Sequence, residues 1–197
     1  GKNMTVSEYG SDIIIVDCGM GFPEETAYGI DMVLPDVTYL KSNADKIRGL
    51  IVTHGHEDHI GGIPYILKDL NIPIYTLPLT AALIELKLEE HDLLYNTQIF
   101  TKKAGSRFRL GAFNIELINV NHSIPDAVAL AIKTPIGTVI QTGDFKIDIT
   151  PISGKMIDLV RFGELGNEGV LALLSDSTNV EHPGYSVSES KVGEGFD

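Results

Sequence analysis

Apolar positions along this chain come in short blocks, and the spacing inside the blocks alternates between strand and helix periods. Asp12–Val16 and Gly49-Leu50-Ile51-Val52 are strand-sized apolar runs, the pattern of buried strands. Residues 4–9 and 12–17 read as a hairpin turned at Gly10-Ser11. Residues 19–36, with Pro23, Gly29 and Pro35, carry little periodicity and read as a loop. A strand is expected over 47–53, an amphipathic helix over 60–70, a short strand at 74–76 and a second helix over 80–91. Strands follow near 98–101, 108–110, 113–120, 128–134 and 138–142, then a helix near 156–164 and a strand over 170–175. Helices inserted among strands in this way predict an α/β layered sandwich rather than a doubly wound sheet. Residues 184–197 are rich in Ser, Gly and Glu, and Ser188 with Glu189 could begin a helix.

Composition narrows the setting more than the chemistry. At 197 residues and 43% hydrophobic, the chain is one domain, or a large part of something bigger, with a core to bury. The single cysteine, Cys18, excludes an intramolecular disulfide and a cysteine-based zinc cluster, and it fits a reduced, cytoplasmic setting. No apolar run is long enough for a signal peptide or a membrane span. Gly1-Lys2-Asn3 is not a natural start, so a cut or processed N-terminus is expected. The net charge of −12 argues against a nucleic-acid surface, because phosphate contacts need clustered Lys and Arg. A polyanionic substrate would need basic surface mostly outside this chain.

The chemistry concentrates in Thr53-His54-Gly55-His56-Glu57-Asp58-His59, between an expected strand and an expected helix. Three of the six histidines and a carboxylate fall within six positions, a donor set suited to zinc and similar divalent metals. His54 and His56 can point the same way if the turn is extended, whereas the adjacent Asp58 and His59 diverge. That divergence suits two neighbouring metals better than one. Further donors are sought at strand ends. His122 follows one strand, although a histidine before Ser-Ile-Pro can also cap a turn. Asp144 follows another, and its two oxygens can bridge two cations. Asp17 closes the Asp12–Val16 run and is better suited to fixing a ligand imidazole's tautomer. Asp176, in Ser175-Asp176-Ser177-Thr178, can serve as a turn cap. His91 and His182 read as surface residues, Glu57 as a solvated residue at a helix start, and Gly61-Gly62 lacks the spacing and lysine of a phosphate loop.

The run His54-x-His56-x-Asp58-His59, followed by His122 and Asp144 with Asp17 upstream, resembles the metallo-β-lactamase superfamily. The stretches 1–6, 17–25, 29–31, 34–36, 121–126, 142–146 and 173–179 are similar to bacterial ribonuclease J, a β-CASP branch of that superfamily. The resemblance implies an αββα four-layer sandwich, with His54, His56 and His122 on one metal, Asp58 and His59 on the other, and Asp144 bridging. It implies two divalent ions, zinc or alternatively manganese, and a hydroxide between them that attacks a phosphodiester of single-stranded RNA bearing a 5′-monophosphate. Asp58 and Asp176 would be the catalytic carboxylates, Asp176 by supporting a histidine. That histidine and one more ligand would lie after residue 197. The resemblance therefore implies the N-terminal portion, 1–197, of a domain cut where a β-CASP insertion begins. It also implies 5′-to-3′ exonuclease and endonuclease action by a homo-oligomeric parent, with little activity in the fragment. A thioesterase, lactonase or glyoxalase II-like hydrolase uses the same ligand order, and a non-catalytic metal-binding module is the third reading.

Overall fold

The computed structural model describes residues 2–25, 27–152 and 154–191. The first residue of the 1–6 stretch and residues 192–197 of the Ser- and Gly-rich tail lie outside these. Two five-stranded sheets form the centre. The first runs β1 (Thr5–Tyr9), β2 (Asp12–Val16), β3 (Ile47–Ile51), β4 (Ile74–Thr76) and β5 (Ile99–Thr101), antiparallel at β1–β2 and parallel thereafter. The second runs β10 (Ala172–Leu174), β9 (Gly137–Gln141), β8 (Val128–Thr134), β7 (Phe113–Asn119) and β6 (Arg107–Leu110), antiparallel except for the β9–β10 pair.

The strand period of two sorts the core into three layers. Ile13 and Ile15 face helices α1 (Thr38–Ser42), α2 (Glu57–Ile60), α3 (Ile63–Leu67) and α4 (Pro78–Glu90), packing with Ile60, Ile63, Ile66 and Ile84. Ile14 and Val16 face the other sheet and meet Phe113, Ile115, Leu117 and Leu130. Both faces of β2 are covered, which is why its apolar run is continuous. On the far side, Ala129 and Ala131 are small enough to admit α5 (Leu159–Glu168), which contributes Phe162 and Leu165. The order is α, β, β, α, as the resemblance to the superfamily implied. Among the described residues, no helix is long and apolar enough to cross a membrane.

The expected helix over 60–70 differs in outline. It begins at Glu57, breaks at Gly61-Gly62 and ends at Leu67. Pro64, which has no N–H to donate back toward Ile60, interrupts the ladder there. The last helix begins later than expected because Asp158 caps it, accepting from Arg161 N at 3.0 Å. The strand expected over 170–175 is three residues long. A short 3₁₀ turn, Glu189–Lys191, stands where a helix start was expected, and residues 192–197 lie outside the described residues.

Helix α5 is fastened to β7 by a paired Arg. Arg161 Nε and Nη2 donate to the two oxygens of buried Glu116 at 2.8 and 3.0 Å, and Arg107 adds a third bond at 2.9 Å. Burial pushes the Glu116 pKa up, but the hydrogen bonds from Arg161 and Arg107 outweigh it and hold the carboxyl below its ordinary 4.5. Its stabilisation is therefore present above that value and lost as pH falls through the lowered one. Glu116→Ala is expected to cost about 2 kcal/mol near neutrality. Thermal melts from neutrality to about pH 3 check this, because the gap between native and variant should close on acidification.

Candidate metal centre

The centre sits where the C-terminal ends of β2 and β3 meet loops of the second sheet. Asp17 follows β2 with φ of 60°, a left-handed conformation that aspartate tolerates better than most residues. Its carboxylate is 1% exposed and accepts from Thr53 N at 2.7 Å, from Thr53 Oγ1 at 2.9 Å and from His59 Nδ1 at 2.9 Å. The His59 Nδ1 proton is thereby fixed and Nε2 turns outward. Thr53 also touches His54 Nδ1 at 3.1 Å, and its carbonyl accepts from Val128 N, joining the sheets at this edge.

His56 enters α2 from an extended conformation, with ψ of 152°, the condition on which His54 and His56 can point the same way. His54 Nε2 lies 3.2 Å from His56 Nδ1, and His122 Nε2 lies 3.0 Å from that same atom. Protons cannot satisfy three imidazole nitrogens that face one another, whereas one cation at their centre can. Burial lowers the His54 pKa to about 3, with His59 and His122 adding to the effect, so His54 is a neutral donor. Burial likewise lowers that of His122.

The second cluster centres on His59 Nε2, which lies 3.2 Å from Asp144 Oδ1 and 3.6 Å from Asp58 Oδ2. His54, His59 and Asp144 present donor atoms within 4.8 Å of one another, as do His54, His56 and His122, so His54 borders both groups. Asp58 stands farther out and is held by Asn3 Nδ2 at 3.0 Å. Burial alone would disfavour the His59 imidazolium, but Asp144 and Asp17 push its pKa up to about 10, and His59 holds the Asp144 carboxyl down at about 2. Asp144 Oδ2 lies 3.8 Å from His122 Nε2, so its two oxygens face different imidazoles. The loops carrying His122 and Asp144 are tied by Lys146 N donating to Asn121 O at 2.8 Å.

Asp176 lines the same cavity of about 650 Å³ as Asp58, His59 and Asp144. Its Oδ1 accepts from Thr178 N at 2.8 Å and Thr178 Oγ1 at 2.7 Å, which is the turn-cap role, while among the described residues Oδ2 keeps only a 3.5 Å contact with Phe145 N. His91 packs edge-on to Tyr65, and His182 is exposed. Two residues of the centre had no functional reading in the sequence. Thr53 carried the signal of directly preceding His54. Asn3, 55 positions from Asp58, carried none beyond the resemblance of residues 1–6. Gly19 is required by contact rather than conformation, because a Cβ there would fall 1.6 Å from the Asp58 carbonyl oxygen.

Residues 1–149 match the model of the metallo-beta-lactamase superfamily. The chain belongs to that superfamily. Ribonuclease J of Synechocystis sp. is 51% identical over 98% of this chain and 30% of its own length. Ribonuclease J 1 of Streptococcus pyogenes serotype M3 is 49% identical over 98% of this chain and 34% of its own. The resemblance to ribonuclease J is borne out, and the chain spans about a third of the length of these curated relatives. A crystal structure of a protein of unknown function from Enterococcus faecalis V583 aligns with a TM-score of 0.65 at 19% identity, covering 95% of this chain and 49% of that one. At that identity the likeness shows the fold alone. The superfamily and the donor set together mark a divalent-metal site.

Asp17→Asn is expected to weaken metal binding roughly 10–100-fold by loosening His59. Competition against a chromophoric chelator measures this, and melting of the metal-free variant separates any folding cost. Cation uptake at His59 must also displace its proton, so affinity should fall as pH falls. Calorimetry in buffers of different ionisation heat should read about one proton released per chain near neutrality.

Proposed function

We propose that this chain forms the metal-holding part of a longer metal-dependent ribonuclease acting on single-stranded RNA with a 5′-monophosphate end, as a 5′-to-3′ exonuclease and an endonuclease. The observation that carries this reading is the likeness to ribonuclease J over 98% of the chain. The donor set alone supports only metal-assisted hydrolysis. Residues beyond these 197, in a protein of the relatives' length, would bring the β-CASP insertion and the contacts of a homo-oligomer.

In this reading His54, His56 and His122 would hold one ion, Asp58 and His59 would hold the other, and Asp144 would serve both. Bound divalent ions, zinc or manganese, would offset charge on the phosphodiester and supply a hydroxide nucleophile by lowering the pKa of water from ~16 toward ~7. Asp17, bonded to His59 Nδ1, would keep Nε2 free to hold the ion. Asp58, steadied by Asn3, orients the nucleophile. The cavity gives the scissile phosphate room on the side bounded by Asp144 and Asp176. Asp176 Oδ2, with its one long contact, receives a hydrogen bond from a histidine supplied by the rest of the enzyme, which protonates the leaving oxygen.

His56→Ala in the whole enzyme is expected to lower RNA cleavage by about a thousand-fold or more. Gel-resolved cleavage of 5′-labelled RNA measures it, and intact cleavage by the variant would sink the site assignment. Assaying the native enzyme on 5′-monophosphate RNA beside thioester and lactone substrates tests the substrate class. Faster thioester or lactone hydrolysis would move the protein to the other hydrolase branch.

A further inference from the structure

The chain is acidic overall, yet Lys102, Lys103, Arg107 and Arg109 fall within one short stretch that contains no carboxylate. They occupy the turn after β5 and the strand β6, the edge strands of the two sheets. An aromatic row joins these edges. Tyr75 stacks with Phe100 at 5.0 Å and with Phe108 at 5.2 Å, and Lys102 Nζ lies 5.3 Å from the Phe108 ring. Sealing the sandwich accounts for Tyr75 and Phe108, which pack against the inter-sheet core. It accounts neither for Phe100, which is 41% exposed, nor for the cations. The neighbouring carboxylates are engaged, Glu116 with Arg107 and Arg161 and Asp12 with Arg48. Beside them lies a shallow groove of about 370 Å³ lined by Arg107, Arg109, Asn114, Glu116 and Lys133.

Position gives this patch its meaning. Lys102 N donates to Thr76 O and Gly105 N donates to Leu117 O, both at 2.7 Å. The basic turn therefore sits at the C-terminal ends of β4 and β5, beside the end of β7 that leads to His122. Strands β3, β4 and β5 are parallel, and β3 ends beside His54. The turn and the end of β3 thus share one rim, two strand spacings apart, or about 10 Å, and Arg107 and Arg109 carry the basic strip from there down β6, away from the metal centre, to Gly111 beside Asp12 at the start of β2.

We propose that Lys102, Lys103, Arg107 and Arg109, with Phe100, form a second RNA-contact surface that grips the single strand flanking the scissile phosphate. The proposal rests on the ribonuclease reading and names where that substrate is held outside the metal centre. The cations take backbone phosphates with release of counterions, and the open ring of Phe100 stacks a base of any identity.

The test is anisotropy binding of a labelled oligouridylate RNA to the whole enzyme, in a His56→Ala background that keeps the probe intact. Lys102→Gln/Lys103→Gln/Arg109→Gln is expected to weaken binding about ten-fold or more and to reduce the salt slope by about 2, at about 0.7 per phosphate contact. Phe100→Ala is expected to weaken it about five-fold or more. Lys41→Gln/Lys46→Gln, on another face, serves as the charge control and should change little. In the otherwise native chain, the triple variant should keep metal content, melting temperature and hydrolysis of bis(p-nitrophenyl) phosphate. Unchanged affinity and slope in the triple variant, with RNA cleavage by the native enzyme intact, would overturn this proposal alone. An equal loss of binding to polyglutamate would reassign the surface to acidic partners and overturn it too. A native enzyme that neither binds nor cleaves RNA would remove the ribonuclease reading and this surface with it.

Discussion

Burying the Asp17 carboxylate is unfavourable unless donors replace its water, and the local structure follows from how that demand is met. The donors come from Thr53 and His59, two points that the intervening turn must bring to the end of β2. Meeting the demand fixes the exit of β3, the start of α2 and the outward direction of His59 Nε2. Because Thr53 also bonds Val128 through its carbonyl, the same cluster sets how the two sheets meet at this edge. The left-handed backbone at Asp17 costs on the order of 1 kcal/mol and is held in place by those bonds.

Much of this was legible in the sequence because it is local. The four-residue apolar run of β2 has both faces covered, and periodicity reports that directly. The two-residue spacing of His54 and His56 allows one shared direction if the backbone is extended, as it is at His56, and His122 and Asp144 stand at strand ends where donors were sought. Strand β8, a single uninterrupted element, agrees with its expected limits. What remained hidden is long-range or steric. Periodicity continues through Gly61-Gly62, yet Pro64 removes the donor that would have continued the ladder. Asn3 reaches Asp58 because the antiparallel pairing of β1 with β2 returns the start of β1 to the end of β2, beside the ligand turn, a relation that no spacing reports.

Charge shows the same division between average and arrangement. The net −12 describes the whole chain correctly and still conceals two opposite districts. One gathers Asp17, Asp58, Asp144 and Asp176 around imidazoles, a field that favours cations. The other collects cations on the outer strands of both sheets. A sequence average cancels them, and only the order of strands reveals that the basic strip starts at the rim of the metal centre and runs down β6 from there.

The backbone beside Asn3 has a practical side. Asn3 N donates to Asp58 O, Gly19 N donates to Asn3 O, and Lys2 N donates to Met20 O, so the incoming chain is threaded between the ligand turn and the loop after β2. Limited proteolysis between Asn3 and β1 would therefore loosen the hold of the Asn3 amide on Asp58, and so reach the metal centre without touching any of its ligands.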